Sequence, residues 1–105
     1  MMDIFDIYIA YASWSGGGKK RPVLILEQGS KSVTAFSITT QYQNKSEIIR
    51  GKFYEIGEWR QAGLDKPSYV DTNNTVTLPL SSVDVINPVG RLTDIDVINL
   101  IEFLA

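Results

Sequence analysis

A chain of 105 residues, 44% of them hydrophobic, has the size of one ordinary globular domain and is too short for two, so a single domain over residues 1–105 is expected. It contains no cysteine and no histidine, which excludes disulfides, thiolate nucleophiles and imidazole bases and removes the usual ligands of a transition-metal site. The formal net charge of −2 is unevenly spread: Lys19 to Lys66 hold nine basic residues against five acidic, net +4, and the rest is net −6, so a polyanion is an admissible partner if the fold gathers the cations on one face.

The N-terminal residues Met1-Met2-Asp3-Ile4-Phe5-Asp6 lack the basic start and apolar stretch of a secretory signal, and the expected location is the cytoplasm. From Asp6 to Ala12, Ile7, Ile9 and Tyr11 alternate against Tyr8 and Ala10, a strand pattern. Ser13 to Lys20, with Gly16-Gly17-Gly18, reads as a long flexible loop, since three glycines bring a large ordering cost and no packing surface. The apolar run Pro22-Val23-Leu24-Ile25-Leu26 is far too short for the roughly 20 residues that span a bilayer. Val23 to Glu27 and Ser32 to Thr39, joined through Gln28-Gly29-Ser30-Lys31, form a predicted hairpin.

After a polar loop from Thr40 to Ser46, Glu47 to Phe53 and Tyr54-Glu55-Ile56 are read as strand, and Trp59 to Leu64 as a short helical turn ended by Gly63, with Trp59 in the core. Tyr69-Val70-Asp71 and Thr75-Val76-Thr77-Leu78 are strand-like around a turn at Asn73-Asn74, and Val83 to Val89 offers one more short strand. Thr93-Asp94-Ile95-Asp96 resembles a capping box ahead of an apolar run to Leu104, which predicts a C-terminal helix whose two early acids favour the positive end of its dipole. Short strands with frequent turns and one final helix indicate a mainly β (α+β) domain, either a small antiparallel barrel or a compact α+β arrangement.

Three segments resemble the MazF/PemK toxin family. The first is Asp6-Ile7-Tyr8 followed, after the glycines, by Lys20-Arg21-Pro22-Val23-Leu24-Ile25-Leu26. The second is Phe36-Ser37-Ile38-Thr39-Thr40-Gln41, and the third is Trp59-Arg60-Gln61-Ala62-Gly63-Leu64-Asp65-Lys66-Pro67-Ser68-Tyr69-Val70, with Val76-Thr77-Leu78 and then Val89-Gly90-Arg91-Leu92-Thr93-Asp94 beyond it. The resemblance implies a small SH3-like antiparallel barrel, CcdB/PemK-like, with a C-terminal helix; a homodimer; sequence-selective cleavage of single-stranded RNA; and a cognate antitoxin, through which alone the toxin would meet DNA. It also implies catalytic roles for Arg21 and Thr39. The stretch Asp71-Thr72-Asn73-Asn74 departs from relatives that carry an Arg and an Asp there, so Arg21 and Thr39 are the centre of the expected mechanism.

The chemistry suits those residue types. Without a metal or other cofactor, RNA is cut when a 2′-hydroxyl attacks the adjacent phosphate, leaving a 2′,3′-cyclic phosphate and a 5′-hydroxyl. The protein must then stabilise a doubly charged phosphorane. An arginine stays charged and grips two phosphate oxygens at once, and a threonine hydroxyl offers one more donor to the same group. Thr40 adjoins Thr39, and strand alternation puts only one of them on a given face. Lys19, Lys20, Trp14, Thr40 and Gln41 are candidate RNA contacts, the lysines through phosphate and Trp14 by stacking on a base or on an antitoxin side chain.

Three other motifs are rejected. The glycine run before Lys19 and Lys20 lacks the terminal Ser or Thr of a phosphate loop and precedes a strand. Asn44-Lys45-Ser46 and Asn73-Asn74-Thr75 match a glycosylation pattern that has no meaning without secretion. Asp94 and Asp96, two apart on a helix, are read as helix-start residues and not as a catalytic pair. Two rival functions share the expected fold: a non-enzymatic gyrase poison like CcdB, and an inactive SH3-like interaction module.

Overall fold

The computed structural model describes residues 2–14, 17–43 and 45–105, the side chains of 12–14 excepted. Six strands and two α-helices follow in the order β1 (Asp6–Trp14), β2 (Gly17–Gln28), β3 (Ser32–Thr39), α1 (Glu47–Arg50), β4 (Phe53–Glu55), β5 (Tyr69–Pro79), β6 (Gly90–Arg91) and α2 (Asp94–Leu104), with a 3₁₀ turn at Leu80–Ser82. The strands form one antiparallel sheet, β4-β5-β3-β2-β1-β6. The fold is mainly β with a C-terminal helix, as expected. No ladder joins β4 to β6 among the described residues, so the expected barrel is an unclosed sheet.

Strand alternation gives this sheet two apolar faces. One row, Ile7, Leu24 and Phe36, belongs with Ile38, Val70 and Tyr54 to a cluster covered by Ile56, Ala62, Leu92 and Leu100. The opposite face buries Tyr8, Ala10, Val23, Ile25, Val33 and Ala35 under Met2 and Val83. Burial on both faces explains why β2 reads as an unbroken apolar run and not as an alternation. Trp59 is half-buried against the first cluster, as the sequence suggested.

Several local expectations are corrected. The Ser13–Lys20 loop is largely strand: β1 continues to Trp14 and β2 starts at Gly17, with Ala12↔Lys19 and Ser13↔Gly18 in register. Cross-strand hydrogen bonding here outweighs the ordering cost of Gly17 and Gly18. The loop expected at Ser15 and Gly16 lies outside the described residues. Glu47–Arg50 is one helical turn and not a strand: Ser46 accepts the Ile49 N–H at 3.3 Å, Glu47 occupies the positive end, and β4 begins only at Phe53. Local capping overrides the β preference of Ile48 and Ile49.

Asn73 and Asn74 do not turn the chain. β5 is continuous, and the pairing steps from Phe36↔Thr75 to Ser37↔Asp71, so residues 72–74 form a wide bulge. Val83 to Val89 is not a strand either: Val83 makes an isolated bridge to Ala10, after which the Asp84 carboxylate accepts N–H groups of Ile86 and Asn87 at 3.2 Å and bends the chain away.

The turn from Glu58 to Leu64 is tied by the Ala62 N–H to the Glu58 carbonyl at 3.1 Å and closes at Gly63, whose φ is +94°. Gly63 and Gly90 let two backbone segments nearly touch: an added Cβ on Gly63 falls 2.1 Å from the Val89 carbonyl oxygen, and one on Gly90 falls 2.1 Å from that of Ala62.

The predicted capping box does not form. Thr93 precedes α2 without a side-chain cap, and its hydroxyl instead donates to the Glu58 carboxylate at 2.5 Å. Asp96, read as a simple helix-start acid, is buried at 1% exposure. It accepts hydrogen bonds from the Tyr54 hydroxyl at 2.5 Å and from the N–H groups of Gly57 at 2.9 Å and Glu58 at 2.8 Å. With Leu100 one turn on, it pins α2 to the sheet, leaving Ile95, Ile98 and Ile101 exposed. None of the described helices is long and apolar enough to cross a membrane.

Candidate functional site

The sheet divides near its middle. Pairing of β2 with β3 runs from Gln28↔Val33 to Val23↔Ser37. Beyond that pair, β2 stays with β1 (Ile9↔Pro22, Ala10↔Arg21) while β3 stays with β5 (Ile38↔Val70, Thr39↔Tyr69). Pro22 stands at the fork. It has no N–H with which to extend a ladder, and a central strand tolerates proline only where pairing ends.

The fork opens into a groove of about 160 Å³ lined by Lys19, Lys20, Arg21, Pro22, Ile38, Thr39, Thr40, Gln41 and Ser68. Arg21 and Thr39 each lie two residues past the Val23–Ser37 pair, so the two-residue strand period sends both to the same sheet face on opposite walls. Arg21 is half-buried, and its guanidinium has no hydrogen bond or ion pair among the described residues, where the one ion pair is Arg91–Asp6 at 3.9 Å. Lys19 and Lys20 are exposed beside it. The residues lining the groove include three cations and no carboxylate, so it favours an anion.

The Thr39 hydroxyl accepts the Gln41 N–H at 2.9 Å. A hydroxyl has one hydrogen to give and two lone pairs, so this bond orients the oxygen and leaves its hydrogen for a ligand. Thr39 and Thr40 both line the groove, because β3 ends at Thr39 and strict alternation stops there. Six of the seven residues singled out from sequence are thus gathered at one place: Lys19, Lys20, Arg21, Thr39, Thr40 and Gln41. The seventh, Trp14, ends β1, and its side chain lies outside the described residues.

The sequence reading did not single out Ser68 or the tyrosines beside the groove. Ser68 is buried in the groove wall and its hydroxyl donates to the Lys66 carbonyl at 2.8 Å. Its place in Lys66-Pro67-Ser68 was the available signal. Next to it, the Tyr69 ring stacks on Tyr42 with centroids 4.2 Å apart and planes 9° from parallel. Tyr42 also meets Phe53 at 6.3 Å, and the Arg50 guanidinium lies over its ring at 5.6 Å. Partial burial, then the charges of Glu55 and Tyr42, hold the Tyr69 phenol above its ordinary value, so it stays a neutral hydroxyl near neutral pH.

No protein-family model matches the sequence, and a search of curated proteins gives no match. Among solved structures, the fold is similar to the Mycobacterium tuberculosis toxin MazF-mt6, at 27% sequence identity and a TM-score of 0.71 over 94% of this chain and 91% of that one. The fold is thus shared with that toxin over nearly the whole of both chains, and the segments quoted from the sequence resemble the MazF/PemK family.

Proposed function

We propose that the chain is a single-domain, metal-independent endoribonuclease toxin that cuts single-stranded RNA, with Arg21 and Thr39 as its catalytic residues. The observation that carries this reading is the meeting of Arg21, otherwise unpaired among the described residues, and an oriented Thr39 hydroxyl across one cationic groove. The substrate's own 2′-oxygen attacks phosphorus and loses its proton. A bond forms between them, the bond from phosphorus to the 5′-oxygen breaks, and that oxygen takes up a proton. Arg21 donates to the two non-bridging equatorial oxygens of the dianionic phosphorane and Thr39 adds a further hydrogen bond to one of them, an arrangement set before the reaction begins and therefore cheap at the transition state. Lys19, Lys20, Thr40 and Gln41 hold the flanking strand, and Trp14 supplies a further stacking group from the hairpin end.

A homodimer in the cytoplasm and an antitoxin that occupies the same groove belong to this reading. The exposed Ile95, Ile98 and Ile101 of α2 give a second copy an apolar surface to bury. The test is incubation of the purified protein with long single-stranded RNA in EDTA beside Arg21→Ala, with the ends mapped by primer extension. Discrete cuts leaving 5′-hydroxyl ends, lost in Arg21→Ala with an unchanged circular dichroism spectrum, are expected. Intact RNA across varied sequences would instead favour gyrase poisoning, read as double-strand DNA breaks in cells, or an inactive interaction module.

A further inference from the structure

Tyr42 and Tyr69 are each the chain neighbour of a groove-lining residue: Tyr42 follows Gln41, and Tyr69 follows Ser68 and pairs with Thr39. Phe53 beneath Tyr42 is buried, whereas both tyrosines are half-exposed. The pair is partly open to water, carries hydroxylated edges, and adjoins residues that line the groove.

Arg50 completes the arrangement. It has no carboxylate partner among the described residues, and it rests over Tyr42. A guanidinium flat on an aromatic ring keeps its edge N–H groups free for phosphate. The segment bearing Tyr42 is itself basic, with Lys45, Arg50 and Lys52 against Glu47. The Lys45 N–H donates to the Tyr42 carbonyl at 3.1 Å, and the Lys52 carbonyl accepts the Thr72 N–H at 3.0 Å, which fastens both ends of the segment. Cations alternating with aromatic faces are the usual surface for single-stranded nucleic acid, whose bases stack while its phosphates pair.

We propose that the stacked Tyr42–Tyr69 pair, with Arg50 over Tyr42, is a base-stacking subsite for the nucleotide adjoining the one that reacts at Arg21 and Thr39. The inference rests on the ribonuclease reading of the groove. The two tyrosines hold the neighbouring base while Arg50 grips its phosphate, which sets how the chain enters the groove and which nucleotide is presented to Arg21.

The two readings separate when binding and cleavage are measured apart. Binding is followed by fluorescence anisotropy on single-stranded oligonucleotides with 2′-O-methyl riboses, which cannot attack, and with an abasic unit placed at each position in turn. For wild type, one abasic position is expected to weaken binding about 5- to 150-fold. Tyr42→Leu, which keeps bulk without a π-face, should bind as weakly as that and be indifferent to the abasic unit, and Tyr42→Phe should behave as wild type. Arg50→Gln should make the dependence of log affinity on log salt shallower by about 0.7, one single-strand phosphate's share. Equal affinities for wild type and Tyr42→Leu, or no binding by wild type, would overturn the subsite. Cleavage of unmodified RNA is scored separately: stacking-dependent binding without cleavage would retain the subsite and remove the nuclease.

Discussion

Replacing Asp96 tests how the helix is held to the sheet. The carboxylate is 1% exposed. One of its oxygens takes the Tyr54 hydroxyl at 2.5 Å and the Gly57 N–H at 2.9 Å, and the other takes the Glu58 N–H at 2.8 Å. Asp96→Asn keeps an oxygen for the first two donors and turns an NH₂ toward the third, losing one hydrogen bond to a charged group, about 1.5–3 kcal/mol. Asp96→Ala leaves three donors without an acceptor. Water reaches the exposed Gly57 more readily than the buried Tyr54, so the total is about 3–5 kcal/mol and not three full penalties. At about 2.1 cal/mol/K per residue of unfolding entropy, each kcal/mol lowers the melting temperature of a chain this long by roughly 4–5 °C. Asp96→Ala should therefore melt about 12–25 °C below wild type, with Asp96→Asn between them, by circular dichroism. Melting of Asp96→Ala within about 3 °C of wild type would refute the assigned role, since a shift that small is under 1 kcal/mol.

Thr39→Val, which removes the hydroxyl and keeps the branched shape, should lower the rate of RNA cleavage about 10²–10³-fold with little change in stability, and Thr39→Ser should restore most of it; single-turnover kinetics distinguish them. Tyr54, whose burial and bond to Asp96 raise its pKa above the ordinary value near 10, binds its proton more tightly when folded. Its contribution to stability is full below about pH 10 and is lost as pH rises above it, so urea midpoints should fall more steeply there for wild type than for Tyr54→Phe. Gly63→Ala should cost at least about 1–2 kcal/mol from its φ of +94° alone and more from the Val89 carbonyl, seen as a lower urea midpoint.

The strands carrying Arg21 and Thr39 were legible because strand periodicity is local, but which of Thr39 and Thr40 shares a face with Arg21 stayed open until the Val23↔Ser37 pair set the register. The motif order then put the two strands side by side. What the chain did not disclose depends on partners distant in sequence. Asp96 looks like any acid in a first helical turn until Tyr54, Gly57 and Glu58 are brought to it. The Tyr42–Tyr69 stack joins a loop to a strand 27 residues on, and neither position has a periodic signature. Glu47–Arg50 misled for the opposite reason, since two isoleucines outweighed a serine cap on inspection although the backbone followed the cap. β5 passes Asn73 and Asn74 because it carries its surplus residues as a bulge opposite β3, an outcome that depends on pairing with a distant strand.

The fork at Pro22 gives one strand two mechanical characters. From Val23 to Gln28, β2 is flanked on both sides and shares the fate of the whole sheet. Before Val23 it hangs on β1 alone. Opening the part that carries Lys19, Lys20 and Arg21 thus breaks one ladder and removes no residue of either apolar cluster, so its free energy of opening can lie well below that of global unfolding. Changes in this arm can then reshape what enters the groove while the core keeps its stability. A sheet forked this way can vary the lining of its groove without having to refold.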